Sequence, residues 1–243
     1  MAWSRRRRIG VGVAAAVVVL LAIGGSLLWQ VFGGSTPEAA SLSSPSLSPA
    51  GSASGAAPAS LDGTWIIDDS TGSLAEGTST FAGYRVQEQL SGIGANTAVG
   101  RTQKVTGSMT IAGTTITDLS VSVDMTSLQS DDDRRDNQLR SRGLETDRFP
   151  TATFKLTQPI EVGTKPTQGQ QIHVTATGDL TLHGVTKGVQ VPITAQWSGD
   201  RIEAIASLDV ALADYQITPP TGFLVLSIAD AGTVEMHLLF TKG

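Results

Sequence analysis

Three histidines, His173, His183 and His237, are where metal or acid–base chemistry would first be sought. They fall on separate strands or turns, without the H-x-H or H-x₃-H spacing that brings two imidazoles to one metal. His173 and His237 alternate with apolar neighbours onto a polar face, so all three read as surface histidines. Nucleophilic catalysis finds no better support. Cysteine is absent, and no serine lies in a G-x-S-x-G turn. Asp131-Asp132-Asp133 has the acid density of a calcium loop but lacks its alternation, its glycine and its distant glutamate. Asp214 and Asp230 are candidate buried carboxylates, each without a second catalytic group beside it. Ser91-Gly92-Ile93-Gly94-Ala95-Asn96 is glycine-rich like a phosphate loop. No Lys-Ser/Thr and no helix follow, so it reads as a hairpin tip. The chain offers no catalytic set, no metal site and no cofactor site, and does not read as an enzyme.

The elements that would position any site are strands. Thr117 to Met125 alternates polar and apolar without a fault. Ile172, Val174, Ala176, Leu180 and Leu182 share one face of the next clear run. Val189, Val191, Ile193, Ala195 and Trp197 do the same, as do Val234, Met236, Leu238 and Phe240. A period of two means one face buried and one wet, as in an antiparallel sheet or barrel. Ala112-Gly113, His183-Gly184, Ser198-Gly199-Asp200 and Ala231-Gly232 read as turns between the runs. Pro192, inside a run, marks an edge or a bulge. About eight strands fit between Trp65 and Lys242, giving an all-β, antiparallel eight-stranded barrel. Such a barrel is filled by side chains or holds one small ligand. The inward faces mix Val, Ile and Leu with Ala, Gly and Thr and are poor in aromatics, which favours a cavity.

One charged stretch interrupts the strands, Asp131 to Phe154. Ser130 with Asp133 resembles a capping box, and acids crowd the first turn. Asp131–Arg135 and Asp136–Arg140 stand at i,i+4, where opposite charges support a helix. Leu139 is the one buried-type residue, Gly143 is placed to end the helix, and Pro150 forbids its continuation. The spacing predicts one short surface helix, either a solvated crossover or a lid over one end of the barrel.

Ahead of the barrel, residues 1–8 carry Arg5 to Arg8, and Ile9 to Phe32 follows without a charge. About two dozen residues at 1.5 Å rise exceed the ~30 Å of hydrocarbon in a bilayer. The arginines stay inside by the positive-inside rule. Residues 9–32 therefore read as a transmembrane signal anchor that exports the rest, with secretion after signal cleavage as the alternative. Residues 33–60, rich in Ser, Ala and Pro, read as a flexible tether, and 61–243 as the folded domain. From Leu61 onward 13 basic and 21 acidic residues remain, net −8, which argues against nucleic acid and anionic lipid surfaces as partners.

Three blocks together resemble the YceI-like family of lipid- or polyisoprenoid-binding proteins. Arg135-Asp136-Asn137-Gln138-Leu139-Arg140-Ser141 with Phe149-Pro150-Thr151-Ala152-Thr153-Phe154 is similar to its R-D-x-x-L-R-S and F-P-x-x-x-F segments. Gly178 to Lys187 resembles its G-x-L-T-x-H-G-V-T-K hairpin. Leu212-Ala213-Asp214-Tyr215-Gln216-Ile217 and Val234-Glu235-Met236-His237-Leu238 follow in the family's order. The chain departs from the pattern at Tyr84-Arg85-Val86-Gln87-Glu88, where the family often carries His, and at Gly188, where Pro is common.

The resemblance implies a lipocalin-like barrel with a helix at 132–142 and an elongated apolar cavity for a polyprenyl chain, an isoprenoid quinone or a similar amphiphile. The inward strand residues Val121, Val123, Met125, Phe154, Leu156, Val174, Ala176, Val191, Ile193, Met236 and Leu238 are then the expected lining. Leu139 and Phe149, with Phe154, would plug the barrel end, and the charges of 131–148 would form the outer face of that plug. The competing expectation is a filled barrel acting as an envelope structural or protein-interaction domain. A homodimer is compatible with both.

Overall fold

The computed structural model describes residues 36–43, 60–220, 222 and 224–243. The expected basic segment, the transmembrane segment at 9–32 and its cleavage site lie outside them. Among the described residues no helix is long and apolar enough to cross a membrane.

Period-two alternation becomes twelve strands: β1 (Gly63–Ile67), β2 (Phe81–Leu90), β3 (Gly94–Thr102), β4 (Val105–Ala112), β5 (Thr115–Asp124), β6 (Gln129–Ser130), β7 (Thr151–Leu156), β8 (Ile160–Glu161), β9 (Gln171–Leu182), β10 (Val185–Ser198), β11 (Arg201–Ala211) and β12 (Val225–Lys242). All pairings are antiparallel, and the order β1-β4-β5-β7-β9-β10-β11-β12 closes where β12 returns to β1. β1 and β2 lie end to end against β12, with Trp65 opposite Lys242 and Phe81 opposite His237. β4 pairs with β1 and β3 with β2, so twelve strands fill the eight positions of a barrel. Closure pairs β12 with β1, while the outer edge of β3 is met only by the two residues of β6. Apolar side chains from the strands turn towards the axis, with Trp65, Val105 and Phe240 almost wholly enclosed. Trp65 also donates its indole N–H to the Leu61 carbonyl at 2.8 Å, which gives a buried polar tip its partner.

Local chemistry fixes the turns. His183 and Gly184 have φ of 51° and 73°, the two left-handed positions of a type I′ turn joining β9 to β10. Pro192 stands where β10 still pairs with β9 but has left β11, whose ladder with β10 begins at Ile193. Its missing N–H is therefore not demanded. Ala231-Gly232 is not a turn. β12 runs through it with a register shift between Ile228 and Gly232, so the extra residues are absorbed as an irregularity that bends one long strand.

The helix is α1 (Asp133–Ser141). Its N-cap is Asp132, whose carboxylate accepts from the Arg134 N–H at 2.8 Å, and not Ser130. Ser130 is drawn away because Asp136 takes its N–H at 3.1 Å and its hydroxyl at 2.6 Å. For the same reason Asp136 does not pair with Arg140. The Asp131–Arg135 pair does form. Gly143, at φ 66°, follows the helix and packs on Pro220.

The stretch expected to be a flexible tether contains a segment that lies on the barrel. The Pro37 and Glu38 carbonyls accept from Arg85 and Arg101, and Ser43 donates its N–H and hydroxyl to Glu203 at 2.9 and 3.0 Å. Beneath it the outer face of β12 is buried, contrary to the alternation. Glu235 is 2% exposed and His237 1%.

Candidate binding cavity

Strand parity puts Val234, Met236, Leu238 and Phe240 inside the ring, and what they face is unfilled space in two chambers. The helix-end chamber holds about 140 Å³ and the far-end chamber about 90 Å³. Val121, Phe154 and Met236 line both. Phe154 is held there by Gly178 on the neighbouring β9, where a Cβ would come 2.5 Å from its ring. Only glycine leaves that ring its place, so it stands as a partition between the chambers.

Both linings are overwhelmingly apolar. Leu128, Leu139 and Leu144 bound the helix end on one side, and Ile217, Pro219 and Pro220 on the other. Arg85 touches this chamber but turns its guanidinium outward, to the Pro37 carbonyl at 2.8 Å and Glu235 at 3.6 Å. Such a space excludes ions and suits hydrocarbon.

Of the residues expected to line the cavity, Val121, Val123, Met125, Phe154 and Met236 border the helix-end chamber. Val174, Val191, Ile193 and Leu238 border the far-end chamber. Leu156 and Ala176 are buried in the core but touch neither space, Ala176 because its methyl is short and fully enclosed. Of the expected plug, Leu139 borders the chamber and Phe149 does not. The Phe149 ring packs instead against His183, 4.4 Å away and tilted by 58°, and lies over Gly184, where a Cβ would come 2.6 Å from it. It braces the β9–β10 turn from outside.

Sequence reasoning missed the polar residues at the helix end. Arg135 donates to Glu88 at 2.8 Å, across 47 residues, and Asn96 donates to the same oxygen at 2.7 Å. Burial disfavours the Arg135 charge, yet Glu88 and Asp131 outweigh it and raise its pKa. The Tyr84 ring borders the chamber with its hydroxyl buried and unpartnered, and burial drives its pKa up. The available signal was parity: Tyr84, Val86 and Glu88 alternate with Arg85 and Gln87 on β2. The charges of this segment are therefore not all an outer face, since Arg135 and Asp136 turn inward.

The histidines separate. His173 is exposed. His183 is mostly covered and donates from Nδ1 to the Tyr215 carbonyl at 3.0 Å. His237 is the clear correction to a surface reading, for its Nδ1 faces the Ser79 carbonyl and its Nε2 faces Glu203, both at 2.7 Å. Asp214 pairs with Lys187 on the surface at 2.8 Å, and Asp230 is exposed, so neither is a buried carboxylate. Among the described residues no group of three or more His, Asp or Glu gathers as a metal site.

Comparison with known proteins agrees with this architecture. Residues 65–240 match the family model of the YceI-like domain. This chain belongs to the YceI-like family. A UPF0312 protein of Vibrio parahaemolyticus is 32% identical over 131 residues, covering 49% of this chain and 60% of that protein. One from Shewanella denitrificans is 28% identical over 146 residues, covering 56% and 73%. The chain thus spans about 60% of the length of the first of these relatives. In three dimensions it resembles a polyisoprenoid binding domain from Saccharophagus degradans implicated in plant cell wall breakdown. The TM-score is 0.55 at 18% identity, over 74% of this chain and 98% of that one. At that identity the likeness is one of fold.

Proposed function

We propose that this YceI-like protein is a membrane-anchored, extracytoplasmic binding protein that holds an isoprenoid lipid, a polyisoprenoid or an isoprenoid quinone, along its barrel axis. The observation that carries the proposal is the pair of apolar chambers meeting at Phe154, Val121 and Met236. A barrel that served only as a structural or interaction domain would gain stability by filling that volume. Each methylene buried there contributes about 0.8 kcal/mol, so a prenyl chain binds firmly with few polar contacts. The S. degradans domain of like fold is named as polyisoprenoid-binding, which supports the ligand class. The anchor rests on the uncharged run Ile9–Phe32 behind four arginines.

Organic-solvent extraction of the full chain purified from its native host, followed by mass spectrometry, tests the ligand. An isoprenoid co-purifies on this reading. Protein that is empty and also takes up no prenyl compound would overturn it. For the anchor, alkaline carbonate washing leaves the protein in the membrane pellet, and release into the wash would refute an integral segment.

A further inference from the structure

Segment 36–43 gives the barrel a polarity, because its contacts follow β12 in order. The Pro37 carbonyl meets Arg85, which pairs with Thr233. The Glu38 carbonyl meets Arg101, level with Glu235 through Gly83. Ser43 meets Glu203, which pairs with Leu239. Along the same strand Ile228, Val234 and Met236 border the helix-end chamber, and Met236, Leu238 and Phe240 the far-end one. The segment therefore begins at the helix end and runs towards the far end, so the chain ahead of it attaches at the helix end. Gly33 to Pro37, the link back to the uncharged run Ile9–Phe32, spans at most about 18 Å.

The end so tethered presents apolar side chains. β2 continues from Arg85 to Leu90, about 17 Å further from the far end. There the Ser91 N–H donates to the Leu224 carbonyl at 2.9 Å and Val225 pairs with Leu90, so the β2–β3 turn and the start of β12 form one tip. Of the three large apolar side chains exposed among the described residues, two stand on it, Ile93 at 41% and Leu226 at 58%. Leu226 falls in the register shift between Val225 and Ser227, which leaves it no partner on β2 and turns it out. Gln89 to Gly100 and Pro219 to Ala229 carry no charge, although the domain as a whole is acidic. We propose that this tip is a bilayer-docking surface. Ile93 and Leu226 seat in the interfacial layer of the membrane that anchors the chain, by apolar contact and not by charge, and the helix-end chamber is the one nearer that membrane. This rests on the anchored reading above.

The chain has no cysteine, so Ile93→Cys, Leu226→Cys and a far-end control, Ser198→Cys, each give the full chain one site for an environment-sensitive fluorophore. Ser198 is exposed and adjoins Trp197, which borders the far-end chamber. All three side chains are exposed, so the fold tolerates the label. Each protein is reconstituted in phosphatidylcholine vesicles, with and without lipid spin-labelled near its carbonyl. Labels at 93 and 226 are expected to shift to the blue and to be quenched by the spin label, and the label at 198 to do neither. Vesicle-bound protein whose labels at 93 and 226 stay in water overturns the docking surface and leaves the anchor standing. Stronger quenching at 198 than at 93 overturns it too, since the barrel then faces the other way. A blue shift without quenching overturns it in favour of a second copy or another protein covering the tip. Protein that does not float with the vesicles overturns the docking surface and the anchored reading together.

Discussion

Both ring nitrogens of His237 face an acceptor, the Ser79 carbonyl and Glu203, and a ring in that position is satisfied only as the imidazolium. Burial works against that charge, but the Glu203 and Ser79 hydrogen bonds outweigh it and raise the pKa above its ordinary 6.5. Burial likewise opposes the Glu203 carboxylate, and its bonds from His237 and Ser43 bring its pKa below the ordinary 4.5. A raised histidine contributes stability fully below pH 6.5 and loses it as pH rises through the raised value. A lowered glutamate contributes above pH 4.5 and loses it as pH falls through the lowered value. The pair is complete between the two, so the melting temperature should be highest there and fall on the alkaline side. His237→Gln should cost more at about pH 5.5 than at about pH 8, as read by calorimetry, because the stability that the protonated ring contributes is full below 6.5 and declines above it. Equal losses at both would show that the ring is neutral throughout. Nothing local in the sequence reveals this pair. Val234-Glu235-Met236-His237-Leu238 alternates as a half-wet strand should, and the cover that dries its polar face comes from Ser79 and Ser43, more than a hundred residues away.

At the scale of elements, local rules reached the helix but not its attachments. Acid density and i,i+4 spacing predict one short helix where α1 lies, and the family resemblance bounds it at 132–142, but local rules see only neighbours on the helix. They paired Asp136 with Arg140, whereas Asp136 clamps Ser130 and Arg135 reaches Glu88 on another strand. The cap is accordingly Asp132. Asp132→Ala should cost about 1 kcal/mol, the usual worth of a cap, whereas Asp133→Asn, on the solvent side of the first turn, should cost a few tenths at most. Chemical denaturation of the full chain compares them, and equal effects would place the cap elsewhere. The segment 36–43 was illegible for the opposite reason. Its composition is that of a linker, and what holds it is mostly backbone, the Pro37 and Glu38 carbonyls and the Ser43 N–H, with the Ser43 hydroxyl as the one side chain that adds to it. A chain beginning at Ser60 should therefore melt lower than one beginning at Thr36. Removing acceptors from Arg85 and Arg101 and a donor from Glu203 costs on the order of 2 kcal/mol. That corresponds to roughly 4–8 °C for a domain of this size. Identical melting would mean that water replaces the segment without loss.

For the whole molecule, alternation was enough to specify the barrel, because closing eight positions buries every apolar face that the strands present. It was not enough to specify the cavity. Parity names inward residues, and nine of the eleven so named border one chamber or the other. Volume is a difference between what a ring encloses and what its side chains occupy, so it depends on how Phe154, Gly178 and Met236 meet across strands. Phe154 is therefore where the cavity as a whole is best tested. Phe154→Ala removes the partition and leaves one continuous channel. In the empty protein it should cost about 3–5 kcal/mol, the range for truncating a buried phenylalanine. Ligand then redistributes the loss. A prenyl chain at a hundred times its Kd stabilises the wild type by about 2.7 kcal/mol through mass action alone, or roughly 5–11 °C. In the variant a chain long enough to cross both chambers also fills the space the ring vacated. Its thermal shift should exceed the wild-type shift at the same ligand concentration, while a chain that fits one chamber should give no such excess. Thermal melts with a short and a long prenyl alcohol decide it. If the long chain shifts both proteins equally, the chambers do not act as one channel and Phe154 is only a packing residue.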